Sequence, residues 1–62
     1  MQNVNLIEKR KAAGYTQTQL AEKIGINQTA ISLYENGLRV PDVSTARKIA
    51  IVLGTTIEDI FN

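Results

Sequence analysis

The chain has no histidine and no cysteine, which removes the commonest general base, the commonest metal ligand and the nucleophilic thiolate. Its one pair of adjacent carboxylates, Glu58 and Asp59, diverges on a short helix instead of converging on a substrate. The chain is therefore not expected to be an enzyme, and no cofactor, metal or small-molecule ligand is expected. What remains is the chemistry of recognition. Gln28 and Ser32 are four residues apart, as are Thr29 and Leu33, so on a helix both pairs line one side. A Gln amide donates and accepts at once, which suits adenine N6 and N7. Thr and Ser hydroxyls can meet either kind of edge group, and Leu offers only an apolar contact suited to a thymine methyl.

These side chains need a helix held at a fixed attitude, and the stretch from Thr16 to Gly37 provides one. Thr16 and Gln19 form a Thr-x-x-Gln capping box that opens a short helix with Leu20, Ala21 and Ile24 as its buried stripe. Gly25 stops it in the left-handed region that glycine enters at low cost. Ile26 packs inwards and Asn27 caps the next helix, in which Ile31 and Tyr34 point at the core and Ala30 allows close approach. Asn36 and Gly37 end it. Two short helices joined by a tight turn are the unit that carries a helix into the DNA major groove.

The remaining elements read as support. A first helix is expected from about Val4 to Ala13, capped by Asn3 or Asn5 and ended by Gly14, with Leu6, Ile7 and Ala13 on or near one face. Arg10 falls on that apolar face, where an unpaired charge is costly. Pro41 keeps Val40 extended, and Asp42 caps a helix from Val43 to about Leu53 with Val43, Ala46, Ile49, Ala50 and Leu53 inward. Gly54 stops it, and Thr56 caps a last short helix, IEDIF, assisted by Asp59; Ile60 and Phe61 close the core. No strand signal or internal repeat appears, so the expected fold is all α, with five helices.

Sixty-two residues allow one domain, 1–62, and an apolar share of 44% is enough for a core. The net charge of +1 does not itself announce nucleic acid, although Lys9, Arg10 and Lys11 form a basic cluster. No apolar run spans a membrane, and MQNVNLIEKRK lacks the apolar stretch of a signal peptide, so a cytoplasmic location is expected.

From Gln17 to Glu35 the chain resembles the helix-turn-helix of the lambda-repressor and Cro family, also called the Xre type. The likeness rests on Leu20, Ala21, Ile24, Gly25, Ile26, Ile31, Tyr34 and the YENG ending. It extends to LIEKRKAAGYTQTQLA, Pro41, KIAIVLG and IEDIF, nearly the whole chain. The resemblance implies a compact five-helix domain that binds double-stranded DNA in a sequence-specific way, with its third helix in the major groove, as a dimer on a pseudo-palindromic operator. By position, Gln28, Thr29, Ser32 and Leu33 are implied base contacts. Gln17 and Asn36 are implied phosphate contacts, with Asn27 at the turn touching the backbone. An ion pair between Arg10 and Glu35 is also implied, and it would resolve the placing of Arg10.

The base-facing side of the third helix has no Arg or Lys, so the commonest guanine contact is missing and a bias towards A·T pairs is expected there. Arg39, Lys9 and Lys11 would then supply backbone electrostatics. Ile51, outside the inward stripe of its helix, is a candidate dimer contact together with Thr55 and Ile57. The expected role is a transcriptional regulator acting by occupancy, with steric repression the simpler mode and RNA polymerase a conceivable partner. The competing reading is a protein-interaction module of the same fold, such as an antitoxin or adaptor. Large apolar residues on the outer face of the third helix would favour it, and only Leu33 leans that way.

Overall fold

A computed structural model describes residues 1–61 and contains five helices and no strand among them: α1 (Val4–Ala12), α2 (Gln17–Ile24), α3 (Gln28–Glu35), α4 (Val43–Leu53) and α5 (Ile57–Ile60). Each opens on a side chain that accepts a hydrogen bond from a first-turn N–H. Asn3 accepts from Leu6, Thr16 from Gln19, Asn27 from Ala30, Asp42 from Thr45 and Thr56 from Asp59. The capping box of α2 is complete, since the Gln19 amide oxygen accepts from the Thr16 N–H at 2.9 Å. At the first helix the choice falls on Asn3.

The core takes at least one aliphatic side chain from every helix. Leu6, Leu20, Ile31 and Ile49 are fully buried, one from each of α1 to α4, and Ile60 closes the set from α5. Full burial of such a side chain is worth about 1.5–3 kcal/mol, so the five helices are mutually dependent and no short helix here need be stable alone. Phe61 is half-buried and meets Tyr34 edge to face, with ring centroids 6.3 Å apart.

Two expected core positions are corrected. Val43 is 65% exposed. It follows the N-cap directly, where the helix has only begun to approach the body, and the half-buried Thr45 and buried Ala46 carry the packing instead. Ala13 is exposed, because α1 ends one residue earlier, at Ala12, and Ala13 serves as its C-cap. Leu53 packs against the core as a half-buried residue, and Ile7 is half-buried.

Asn3 ties three elements together. Its N–H donates to the Glu35 carbonyl at 2.7 Å, its amide N–H to the Ile60 carbonyl at 2.8 Å, and its amide oxygen caps α1. The start of the chain is thereby fixed to the end of α3 and the end of α5.

Candidate nucleic-acid interface

The α2–turn–α3 unit is built on local signals. Gly25 has φ +81°, and no atom lies within 4 Å of where its Cβ would be, so glycine is required here by backbone conformation and not by crowding. The N–H groups of Gly25 and Ile26 both donate to the Ala21 carbonyl, at 2.9 and 3.0 Å, and close the end of α2. Ile26 then packs against the core as a half-buried residue. Asn27 spends its side-chain oxygen on the cap, 3.0 Å from the Ala30 N–H, which leaves its amide N–H groups outward.

The outer side of α3 presents Gln28 and Thr29 as exposed residues, with Ser32 and Leu33 half-buried beside them. Asn36 is exposed at the end of the helix and directs its amide N–H at the Ser32 hydroxyl, 3.4 Å away. Leu33 therefore offers only part of its surface outward, and the apolar component of this face is small. Arg39 and Lys11 are exposed. Lys9 is exposed too; the Asp59 carboxyl of α5 is held low first by the Thr55 and Thr56 hydroxyls and in lesser part by Lys9.

Beneath this face lies an ordered relay of hydrogen bonds. Arg10 and Glu35 are both buried, with side chains 11% and 4% exposed. The Arg10 Nε donates to Glu35 Oε2 at 2.5 Å, a terminal guanidinium N–H donates to Oε1 at 3.3 Å, and the other terminal nitrogen donates to the Tyr15 carbonyl at 2.8 Å. Gln17 Nε2 also donates to Glu35 Oε1, at 2.9 Å, and Gln17 Oε1 accepts from Gln28 Nε2 at 2.6 Å. No buried side-chain nitrogen or oxygen among the described residues lacks a partner.

The polarity of the relay follows from its chemistry. An ionised carboxylate only accepts, so Gln17 must turn its NH₂ end to Glu35 and its oxygen to Gln28. Gln28 must then turn its own NH₂ end to Gln17. One N–H of Gln28 and its amide oxygen remain without a partner in the fold, on an exposed residue. That is the donor–acceptor pair a bidentate contact with adenine uses.

The ion pair implied by the resemblance is thus present, and the Gln17 side chain joins it to α3. That side chain is half-buried and engaged inside the relay, so a phosphate would meet the remaining amide N–H or the backbone N–H groups of Gln17 and Thr18. Those groups are the open donors of the first turn of α2, since Gln19 and Leu20 donate to Thr16. Residue spacing gave no hint of the Gln17–Gln28 contact, which crosses the turn. Nor did it show the Tyr15 carbonyl as the third acceptor of Arg10.

Ile51, Thr55 and Ile57 have unequal surroundings. Ile51 is 70% exposed. The Thr55 hydroxyl donates to Asp59 at 2.8 Å, and Ile57 is half-buried against the core.

A family model described as helix-turn-helix matches residues 6–60. An uncharacterized HTH-type transcriptional regulator of Methanothermobacter thermautotrophicus is 44% identical over 55 residues, covering 87% of this chain and 80% of its own length. The cryptic phage CTXphi transcriptional repressor RstR of Vibrio cholerae is 38% identical over 55 residues, covering 89% of this chain and 49% of its own. The HTH-type transcriptional regulator ImmR of Bacillus subtilis is 44% identical over 45 residues, 73% of this chain and 35% of its own. The chain thus spans most of the archaeal relative, about half of the phage repressor and about a third of ImmR. No solved structure gives a significant match.

Proposed function

Because the chain belongs to the lambda-repressor- and Cro-like helix-turn-helix family, we propose that it is a transcriptional regulator that reads a half-site of double-stranded DNA with α3 in the major groove. The relatives named as transcriptional regulators and as a repressor support regulation of transcription over catalysis. No group of His, Cys, Asp or Glu among the described residues is arranged to hold a metal. No helix among them is long and apolar enough to cross a membrane.

The observation that carries the reading is the relay from Arg10 to Gln28. A surface glutamine normally samples many rotamers and both amide orientations. Here the buried carboxylate of Glu35 sets Gln17, and Gln17 sets Gln28, before any DNA arrives. Binding then costs less side-chain ordering, on the scale of about 0.5–1.5 kcal/mol per immobilised side chain. Gln28 is assigned to adenine, Thr29 and Ser32 to further base edges, and Leu33 to a thymine methyl. Asn27, Asn36, Arg39, Lys9, Lys11 and the N-terminal turn of α2 at Gln17 are assigned to phosphates.

The domain measures 22 × 22 × 21 Å, less than the helical repeat of about 34 Å that separates two half-sites. A pseudo-palindromic operator therefore takes two copies, and we assign their contact to the α4–α5 turn at Thr55 and Ile57. Occupancy of a site overlapping a promoter would exclude RNA polymerase, which makes repression the simplest mode.

Selection of bound duplexes from a random pool tests the proposal. The expected result is two half-sites in inverted repeat, each with adenine at one fixed position, and loss of that preference alone in Gln28→Ala. Recovery of no sequence preference, or of guanine at every contacted position, would refute it.

A further inference from the structure

The side of the domain formed by α2 and α4 carries a second surface, which shares no residue with the α3 face. Ile51 and Val52 of α4 and Ile24 at the end of α2 floor a shallow open groove of about 280 Å³, and Lys23 and Lys48 line it. Ile51 is the most exposed apolar side chain of the groove, at 70%. Arg47 lies four residues before Ile51 on α4, exposed on the same side of that helix. Three of the seven basic residues of the chain thus gather around one exposed isoleucine.

None of these three cations is spent within the fold. The one salt bridge among the described residues is that of Arg10 with Glu35. The acidic residues nearest in sequence are Glu22 and the α4 cap Asp42, and neither forms a salt bridge with them; the Asp42 carboxyl is held low first by its hydrogen bonds from Thr45, with Lys48 a lesser cause. The helix α4 itself has no acidic residue between Val43 and Leu53.

We propose that this groove docks an acidic amphipathic helix of a partner protein, with an apolar side chain laid on Ile51 and Val52 and carboxylates reaching Lys23, Lys48 and Arg47. Charge complementarity selects this occupant. A second copy packed across a two-fold axis at Ile51 would face Lys48 and Lys23 with their own images, and such like-charge juxtaposition disfavours it. DNA would satisfy the lysines but give the isoleucine nothing to cover it. An acidic helix with an apolar stripe satisfies both, in the helix-in-groove manner. This surface does not depend on the assignment of α3 to the major groove.

The test uses the ¹⁵N-labelled chain and a synthetic 18-residue helical peptide with a leucine stripe flanked by glutamates. Saturable amide shifts are expected at Lys23, Lys48 and Ile51. Affinity should fall at least tenfold in Lys23→Glu/Lys48→Glu and in Ile51→Ser, while binding of Ile51→Ser to the selected duplex changes less than twofold. All three positions are exposed, so the variants should melt like the parent, and Ile51→Ala serves as a milder second probe. Equal binding of a peptide with lysine in place of glutamate would overturn the proposal. So would unchanged peptide affinity in the variants, the same shifts produced by a duplex DNA, or conversion of a dimer to monomer by Ile51→Ser in sedimentation.

Discussion

Replacing Arg10 by Met and, separately, Arg10 and Glu35 together by Met and Leu should separate the stability of this domain from its recognition of DNA. In Arg10→Met the Glu35 carboxylate, 4% exposed, loses two of its three side-chain donors and keeps only Gln17, while the Tyr15 carbonyl loses its guanidinium donor. Breaking a buried pair from one side costs about 3–5 kcal/mol. A domain of this size has about 3–9 kcal/mol in total, at roughly 0.05–0.15 kcal/mol per residue. The single variant should therefore lose at least 12 °C in Tm, at about 4–8 °C per kcal/mol for small domains, and be largely unfolded at 37 °C if the parent lies in the lower part of that range. Arg10→Met/Glu35→Leu removes both charges and leaves an apolar pair, a replacement often neutral or stabilising. Its melting temperature should return to within a few degrees of the parent. DNA affinity should not return with it. Gln17 has lost the acceptor that oriented it, and Gln28 is freed in turn, a penalty of about 1–3 kcal/mol for two side chains, or roughly 5- to 150-fold. Circular dichroism melts and fluorescence anisotropy on the selected duplex give the two readouts. An unchanged melting temperature in Arg10→Met, or parental affinity in the stable double variant, would refute the relay as the device that orients Gln28.

Other outcomes are expected on the same physical grounds. Arg39→Ala should weaken binding about equally for all duplexes and lower the slope of log K against log salt by about 1, if the side chain neutralises one phosphate. The carboxyl of Asp42 is held below its ordinary value of 3.8, first by the Thr45 hydroxyl and then by the Thr45 N–H. A carboxyl lowered in the folded state contributes stability above its unfolded pKa and loses it as pH falls through the folded value. Asp42→Asn keeps a capping oxygen, so it should leave the melting temperature at pH 7 nearly unchanged and make the decline below about pH 4 shallower, as acid titration of the melts would show. Gly25→Ala should cost about 1–2 kcal/mol in urea unfolding from backbone conformation alone. Gly37→Ala should cost more, because its φ is also positive, at +72°, and a Cβ there would collide with the Met1 carbonyl.

The features legible in the sequence are those that chemistry decides locally. A capping side chain acts within three residues of itself, and so Thr16, Asn27, Asp42 and Thr56 were readable one at a time. The inward stripes of α2 and α3 were readable because helical period sets them. Arg10 showed itself by conflict, as a charge at an apolar position, and the resemblance supplied Glu35 as its partner. Val43 misled because it keeps the helical period of α4 while sitting at its first turn, before the helix reaches the body. The side-chain bonds of Gln17 were hidden for a different reason. Its bonds to Glu35 and Gln28 depend on the placing of three separate segments, and a polar residue at a helix start looks the same whether it faces water, phosphate or a buried carboxylate.

The bond from Asn3 to the Ile60 carbonyl joins residues 57 positions apart in the chain. Segments attached before Asn3 and after Ile60 would depart from one corner of the domain, held at high local concentration only while it is folded. Two halves of a split reporter fused there would associate with the native state and separate on unfolding. The domain can therefore report its own folding inside a cell.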